Sequence, residues 1–503
     1  MDTIGFDNDK YVQIQTEKIK ERIAKFGGKL YLEFGGKLFD DFHASRVLPG
    51  FRPDTKLHML MEMKDEAEII IAINSQAIEE MKVRADIGIT YDQDVLRLID
   101  AFREAGLYVG SVVLTRYAAQ KGAKRFEKYL NKLGIKTYRH YAIANYPYDV
   151  DRIVSKDGLG KNDYIETTRS LVVVTAPGPG SGKMATCLSQ MYHDSLRGVK
   201  SGYAKFETFP IWNLPLKHMV NLAYEAATAD LDDVNMIDPY HLEHYGVSTV
   251  NYNRDVEIFP VLNRLISAIF GESPYFSPTD MGVNMAGYCI SDDEACQKAS
   301  RQEIIRRYYK AMMDSRNGRS TEGAVAKIES LMLNNDISAS ERLCIAPCLD
   351  KAKLTGAPAS AMELGDGQII TGKTSSLLGA TAAMILNALK VLAGISDRVY
   401  LLPKAIIEPI CDMKIRGLGH HNPRLHVDDV LLALSISAVT NPLADMALAQ
   451  LPKLRGCESH SSVILSSRDL STLNRLGIRH TCDNAITCHE VQLLGGTLTH
   501  KLS

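Results

Sequence analysis

The sequence predicts an α/β protein with a parallel β-sheet of the P-loop-like or Rossmann-like kind in its N-terminal part. Short runs of consecutive apolar, often β-branched residues read as strands that are buried on both faces. Amphipathic segments with helical spacing alternate with these runs, and glycine-rich turns follow two of them. Strands that alternate with helices form parallel sheets.

The length of the chain predicts several domains, because 503 residues are too many for one hydrophobic core. We predict an α/β phosphate- or nucleotide-binding domain at 1–240. A mainly helical segment follows at 241–348, and a second, C-terminal α/β domain occupies 349–503.

Local patterns place the elements of the N-terminal part. Helical spacing predicts a first helix that Gly27 and Gly28 end. The predicted strands before residue 170 are Leu30–Phe34, Glu68–Ile73 and Val109–Leu114, and the predicted helices are Lys10–Lys25, Val95–Ala105 and Ala118–Leu133.

The strongest functional signal is a glycine loop between a buried strand and a helix. The apolar run Leu171–Thr175 precedes the loop, and Lys183 opens the helix. Glycines let backbone N–H groups approach an anion, a helix N-terminus adds partial positive charge, and a lysine reaches terminal phosphates. The residues predicted to bind a phosphate are Gly178, Gly180, Ser181, Gly182 and Lys183.

The loop departs from a strict P-loop at two positions. Pro177 stands where the pattern has glycine, and Met184 stands where it has serine or threonine. The missing hydroxyl is the group that ligates phosphate-bound magnesium, and Thr186 lies too far around the helix to replace it. The sequence therefore leaves open whether magnesium binds together with the phosphate.

Two other interpretations of the loop remain open. Gly178 and Gly180 begin a dinucleotide pattern for which Glu207 is the acidic residue that binds ribose, although Lys183 stands where that pattern needs a third glycine. Alternatively, the segment is a tight strand-to-helix turn with an incidental lysine.

A second polar cluster follows the first strand. Since ligands sit at the carboxyl ends of parallel strands, the loop after Phe34 is expected to approach Lys183. It contributes Gly35, Gly36, Lys37, His43, Arg46 and Arg52. An ordinary solvated loop is the alternative.

The candidate magnesium ligands are Asp233 and Asp238. The apolar run Val234–Asp238 is read as a strand that ends in aspartate, as a Walker-B strand does, and Tyr203–Ile211 is predicted as the strand before it. His241 and His244 have the spacing of a helical metal pair, a common pattern with low specificity.

The C-terminal part contains a second match to the P-loop letters, Gly367–Thr374. We interpret it as an extended segment, because Ile369, Ile370 and Thr371 are β-branched and resist curling around a phosphate. The chain is expected to turn at Gly372 and to leave an anion site at Lys373–Ser376 before a helix over Leu377–Leu392. Strands are predicted at Arg398–Leu402 and Ser462–Leu465.

Cysteine and histidine clusters in this part have no assigned role. Cys457 and His460 suggest a nucleophile or, with Cys482, Cys488 and His489, a zinc site, but the spacing of such sites is missing. His420 and His421 likewise have no assigned role.

Composition excludes several classes of partner. With 58 basic and 60 acidic residues the net charge is −2, so nucleic acid is not an expected ligand. No segment predicts a membrane span or a signal peptide, and nine dispersed cysteines fit reduced thiols. We expect a cytoplasmic protein.

Three blocks of the sequence carry a resemblance that runs essentially end to end. They are LYLEFGGKLFDDFHASRVLPGF (30–51), VVVTAPGPGSGKMATCLSQ (172–190) and KFETFPIWNLPLKH (205–218). With these blocks the chain resembles a bacterial family of uncharacterised proteins. The resemblance implies the architecture described above and no known reaction.

The function predicted from the sequence is that of an enzyme, a nucleotide-dependent transferase or hydrolase, that binds ATP, a related nucleotide or another phosphorylated small molecule at Gly178–Lys183. A dinucleotide-dependent enzyme and a non-catalytic phosphometabolite-binding protein are the alternatives. A homo-oligomer is compatible with the sequence.

Overall fold

The computed structural model describes residues 4–35, 38–39, 41–84, 88–318 and 322–483. The chain forms two compact units. One consists of Ile4–Glu225 and Asp233–Ser300, and the other of Ala226–Asp232 and the chain from Arg301 onward. The predicted domain boundaries at residues 240 and 348 concern parts of the chain that fold independently, and they stay a prediction.

The strands, in chain order, are β1 (Leu30–Phe34), β2 (Ala67–Asn74), β3 (Tyr108–Thr115), β4 (Lys136–Arg139), β5 (Leu171–Thr175), β6 (Gly202–Phe206), β7 (Asn235–Ile237), β8 (Val250–Tyr252), β9 (Gly282–Val283), β10 (Ala359–Glu363), β11 (Ile369–Lys373), β12 (Glu458–Ser461) and β13 (Arg479–Cys482).

The α-helices are α1 (Asn8–Lys25), α2 (Phe42–Val47), α3 (Thr55–Glu62), α4 (Ser75–Glu79), α5 (Tyr91–Glu104), α6 (Lys121–Lys132), α7 (Val150–Ile153), α8 (Lys183–Leu196), α9 (Met219–Ala227), α10 (Pro239–Tyr245), α11 (Asn253–Phe270), α12 (Pro278–Met281), α13 (Asp293–Arg316), α14 (Glu322–Asn334), α15 (Ile345–Thr355), α16 (Ala380–Leu392), α17 (Lys404–Asp412), α18 (Val427–Ala438), α19 (Pro442–Leu448) and α20 (Ser467–Leu476).

The first unit contains the predicted parallel sheet. Seven strands pair in the order β4-β3-β2-β5-β1-β6-β9, and every pair is parallel. All residues of β1 and β5 are buried, as the continuous apolar runs predicted. Helix α8 packs against β1, β5 and β6 and so covers the centre of this sheet.

One predicted strand of this unit lies outside the parallel sheet. Residues Asn235–Ile237 form β7, which pairs with β8 in a separate antiparallel ribbon. The reading of Val234–Asp238 as a Walker-B strand is therefore wrong. The strand has only three residues and Pro239 begins a helix directly after Asp238, so the segment ends before it can join a larger sheet. The strand predicted over Tyr203–Ile211 ends at Phe206.

The second unit is built on a four-stranded sheet in the order β11-β10-β12-β13. Only β12 and β13 run parallel. The segment Ile369–Lys373 is a strand, so the second match to the P-loop letters is not a phosphate loop, as its β-branched residues predicted. The chain continues extended through Gly372 instead of turning there, and the helix begins at Ala380.

Two strand predictions in this unit are wrong. Arg398–Leu402 has no regular secondary structure. The strand predicted at Ser462–Leu465 lies earlier in the chain, at Glu458–Ser461. The second error arises because an apolar run indicates burial, whereas the polar run ESHS has three buried residues here because β10 and β13 flank it.

The eight cysteines among the described residues form no disulfide and are buried, whereas Cys488 and His489 lie outside those residues. No helix within the described ranges has both the length and the apolar character that a membrane crossing requires.

Candidate functional site

The glycine loop lies at the carboxyl end of the central strand of the parallel sheet. Strand β5 sits between β2 and β1, although it follows β4 in the chain, so the order of connections reverses here. Such reversal points are where open α/β sheets bind their ligands. The fold therefore places Gly178–Lys183 at the most favourable edge of this sheet for a ligand.

Neighbouring strand ends hold the loop in its shape. Thr115 Oγ1, at the end of β3, donates to the Ser181 carbonyl at 2.7 Å, and Asn74 Nδ2, at the end of β2, donates to the Gly180 carbonyl at 3.3 Å. Ser181 Oγ donates to the Gly178 carbonyl at 2.7 Å. Carbonyl oxygens of the loop are thus satisfied by the protein.

Packing accounts for one of the loop glycines. A Cβ at Gly178 would lie 2.7 Å from Cζ of Tyr91 and would overlap its hydroxyl group. Glycine is required there because the Tyr91 ring approaches the backbone, whether or not a ligand binds. The glycine density of the loop is therefore weaker evidence for phosphate than the sequence suggested.

The start of α8 is open to a ligand. Gly182 is its N-cap residue, with φ of 86°, and no side chain caps the helix. The Thr186 hydroxyl, in the first turn of the helix, donates back to the Gly182 carbonyl at 2.9 Å. Helix starts in proteins usually have a side-chain cap for their first N–H groups, so this one has the character of an anion site.

Lys183 faces a buried carboxylate at the same edge. Its Nζ atom lies 3.8 Å from Oε1 of Glu33 on β1, and its side chain is 16% exposed. The other oxygen, Glu33 Oε2, accepts a hydrogen bond of 2.8 Å from the Tyr203 hydroxyl. The ammonium group is near enough to the Glu33 carboxylate for attraction but beyond hydrogen-bond distance, so this carboxylate does not occupy any of its three donors.

The buried groups below Lys183 stay neutral. Burial, with the Glu33 carboxylate nearby, raises the pKa of the Cys187 thiol well above its usual value. The same causes raise the pKa of Tyr203. Cys187 is therefore a thiol at neutral pH and not a nucleophilic thiolate.

A second buried ionic group lies at the end of β6. Lys205 Nζ contacts Glu207 Oε1 at 2.6 Å and Asp255 Oδ2 at 2.5 Å. Burial raises the pKa of Glu207 to about 7, against the lowering effect of Lys205. A carboxyl that titrates near neutral pH is suited to proton transfer.

The position of Glu207 bears on the dinucleotide interpretation. Strand β1 separates β5 from β6, so Glu207 is not on the strand beside the glycine loop. Its carboxylate is also engaged by Lys205. A ribose-binding acid belongs at the end of the adjacent strand, so the position of Glu207 argues against the dinucleotide interpretation.

Sequence reasoning missed Glu33, Lys205 and Asp255. A signal was present for the first two, because each is a charged residue inside an otherwise apolar strand, LYLEF and GYAKF. A charge in a buried strand needs a partner, and here the partners lie on other elements.

The second predicted cluster is only partly described. Gly35 follows β1 directly, whereas Gly36 and Lys37 lie outside the described residues. Arg46 lies on α2, which Asp41 caps, and the Asp41 carboxylate also binds Lys56 Nζ at 2.7 Å. The approach of Arg46 to Lys183 stays a prediction.

The two candidate magnesium ligands already have other partners. Asp238 Oδ1 accepts from the backbone N–H groups of Tyr240 and His241, as a helix cap, and Oδ2 accepts from the N–H and hydroxyl groups of Thr279. Asp233 Oδ2 binds Arg254 at 3.1 Å. Within the described ranges no three His, Cys, Asp or Glu side chains are grouped as metal ligands. Magnesium at these residues stays a prediction.

Cys457 and His460 take different partners. The Cys457 thiol donates to the Lys453 carbonyl at 3.6 Å, and His460 Nδ1 contacts the Thr481 hydroxyl at 2.9 Å. Neither a nucleophile pair nor a zinc site is formed by these residues in the part of the chain that is described. His420 and His421 are exposed.

The fold and the site define an α/β protein with a parallel sheet and an open helix start at the sheet's carboxyl edge. The family described as "Domain of unknown function DUF1846, N-terminal" matches residues 4–336, and its C-terminal counterpart matches residues 340–490. The chain belongs to this DUF1846 family.

Bacterial relatives match along nearly the whole chain. A UPF0371 protein of Streptococcus equi subsp. equi is 56% identical over 491 residues, which cover 98% of this chain and 99% of the relative. A UPF0371 protein of Streptococcus thermophilus is 57% identical over 479 residues, 95% of this chain and 97% of the relative. These matches confirm the family resemblance that the three sequence blocks carry.

Proposed function

We propose that this protein binds a nucleoside triphosphate or another phosphorylated small molecule at Gly178–Lys183 and acts on it as an enzyme. The observation that carries the proposal is the uncapped start of α8, with Lys183 as its first residue, at the end of the central parallel strand. The hydroxyls of Ser181 and Thr186 donate to loop carbonyls, so they do not compete with a ligand for the helix N–H groups.

The arrangement supplies three kinds of interaction for a phosphate. First-turn N–H groups of α8 donate hydrogen bonds, the helix dipole adds partial positive charge, and the Lys183 ammonium neutralises oxygens. Glu207, which titrates near neutral pH, is the candidate proton-transfer group of the same sheet edge. Its buried position requires that Lys205 and Asp255 rearrange before it reaches a substrate.

The first test removes the Lys183 charge. We expect Lys183→Ala to weaken the binding of ATP or of a phosphorylated metabolite by about 2 kcal/mol, or roughly thirtyfold, because one charge-assisted contact is lost. A thermal-shift screen identifies the ligand, and calorimetric titration measures its affinity.

Lys121→Ala is the matched control. Lys121 is the first residue of α6, which follows β3 in the same sheet, and it is exposed. This variant should bind as the wild type does. Equal affinity of the wild type and Lys183→Ala, with both proteins folded, would contradict the proposal.

A second test concerns magnesium. Because Met184 supplies no hydroxyl, nucleotide affinity is expected to change less with Mg²⁺ than it does in a typical P-loop enzyme. Met184→Thr restores the hydroxyl and should increase that dependence. Titrations with Mg²⁺ and with EDTA measure both effects, and a strict Mg²⁺ requirement of the wild type would refute the expectation.

A further inference from the structure

A small cavity in the second unit is lined by side chains of opposite charge. Its volume is about 80 Å³, and four segments of the chain form its walls. They are the residue before β10, the start of α16 with the residues before it, the loop that leads into α18, and the segment that continues into the first turn of α20. The polar lining residues are Thr374, Thr381, Asn422, Arg424, His426 and Asp469.

Asp469 fixes the orientation of His426. His426 Nδ1 contacts Asp469 Oδ2 at 2.7 Å, and Asp469 Oδ1 accepts from the Val427 N–H at 3.0 Å. Burial alone would raise the pKa of Asp469, but these hydrogen bonds lower it, so the group is a carboxylate. With Nδ1 held in this way, Nε2 is the nitrogen left for a ligand, and no other described residue bonds to it.

Arg424 contributes a positively charged side chain to the cavity, and no acidic residue in the described part of the chain pairs with it. Its Nε atom donates to the Ser375 carbonyl at 2.8 Å. Among the residues that the structure describes, none forms an ion pair with Arg424 or accepts from its two terminal nitrogens. A half-buried guanidinium whose fork is unused is a typical group for binding an oxyanion.

The size of the cavity is sufficient for one small group. A cavity of about 80 Å³ has room for several water molecules and therefore for one phosphate group. The wall at Ala380–Ala382 is the first turn of the 13-residue helix α16, which has no side-chain cap and adds N–H groups to the guanidinium donors of Arg424. Because Nδ1 of His426 donates its proton to Asp469, Nε2 of the neutral ring accepts the hydrogen of a protonated phosphate oxygen. Hydrogen-bond donors that come from separate segments of the chain can reach different oxygen atoms of a tetrahedral oxyanion.

We propose that this cavity is a second binding site, independent of Gly178–Lys183, for one phosphate group, with Arg424 and His426 as its ligands. The sequence placed an anion site at Lys373–Ser376, but Lys373 is an exposed end of β11 and the helix starts further on, at Ala380. The phosphate is either free inorganic phosphate or the head group of a small ester.

The test uses the full chain, with inorganic phosphate and glycerol 3-phosphate as probes in calorimetric titrations. Arg424→Gln is expected to weaken binding at this site about ten- to hundredfold, because the charge-assisted contacts are lost. Among the described residues the Arg424 side chain donates only to the Ser375 carbonyl, so the variant should fold, which a thermal melt verifies. His426→Gln should weaken the same binding.

Arg398→Gln is the matched control, since Arg398 is an exposed arginine of the same unit away from the cavity. Arg398→Gln should bind the probes as the wild type does. Lys183→Ala should also retain binding at this cavity, so a failure of this proposal can be distinguished from a failure of the proposed function at Gly178–Lys183. Binding of both probes assigns the site to an ester head group, and binding of inorganic phosphate alone assigns it to the free ion. No binding by the wild type, or unchanged affinity in Arg424→Gln, would overturn the proposal.

Discussion

Replacing Gly372 by alanine is expected to destabilise the second unit by at least about 3 kcal/mol. A Cβ at this position would lie 2.6 Å from the Ala380 carbonyl oxygen and closer still to the Met384 nitrogen. Both are backbone atoms of α16, which packs directly on β11, so neither can move aside without displacing the helix. Urea denaturation measures the change in the free energy of unfolding.

Gly365→Ala provides the control for this substitution. Gly365 lies in the exposed turn between β10 and β11, and a Cβ there would meet nothing within 4 Å. We expect this variant to match the wild type or to gain a few tenths of a kcal/mol from reduced freedom of the unfolded chain. If Gly372→Ala were as stable as Gly365→Ala, the close packing of α16 on β11 would be wrong.

A second large effect is expected from the buried His460. Burial, with the nearby His480 and Arg342, lowers the pKa of His460 to about 2. The unfolded chain binds this proton below about pH 6.5 and the folded chain does not, so the free energy of unfolding falls as the pH drops. Between pH 7 and pH 5 this one residue should cost about 2 kcal/mol of stability.

His460→Gln is expected to reduce the difference in unfolding free energy between pH 7 and pH 5 by that amount. Glu207, whose pKa burial raises to about 7, acts in the opposite direction, but it contributes equally to both proteins and cancels. His421→Gln removes an exposed histidine and should leave the pH dependence unchanged. An unchanged pH dependence of His460→Gln would show that His460 has the same pKa in the folded and the unfolded state.

Much of the first unit could be predicted from local sequence. The bounds of β1 and β5 agree with the apolar runs Leu30–Phe34 and Leu171–Thr175, and α8 begins at Lys183 as expected. These elements are continuous in sequence, and a strand buried on both faces has an unambiguous pattern. The polar strand β12 had no such pattern, and the apolar run Val234–Asp238 predicted the strand β7 but not its antiparallel pairing, because neighbouring elements determine how both strands pair.

The sequence by itself determined the α/β class, the central glycine loop and the β-branched strand at Ile369–Thr371, since each depends on the conformational preferences of adjacent residues. Only the tertiary structure decided that β5 lies between β2 and β1, that Glu33 faces Lys183, and that Arg424, His426 and Asp469 line one cavity. These contacts join residues that are far apart in the chain. Periodicity shows which face of an element is buried, but the residues against which that face packs are set by the packing of whole elements.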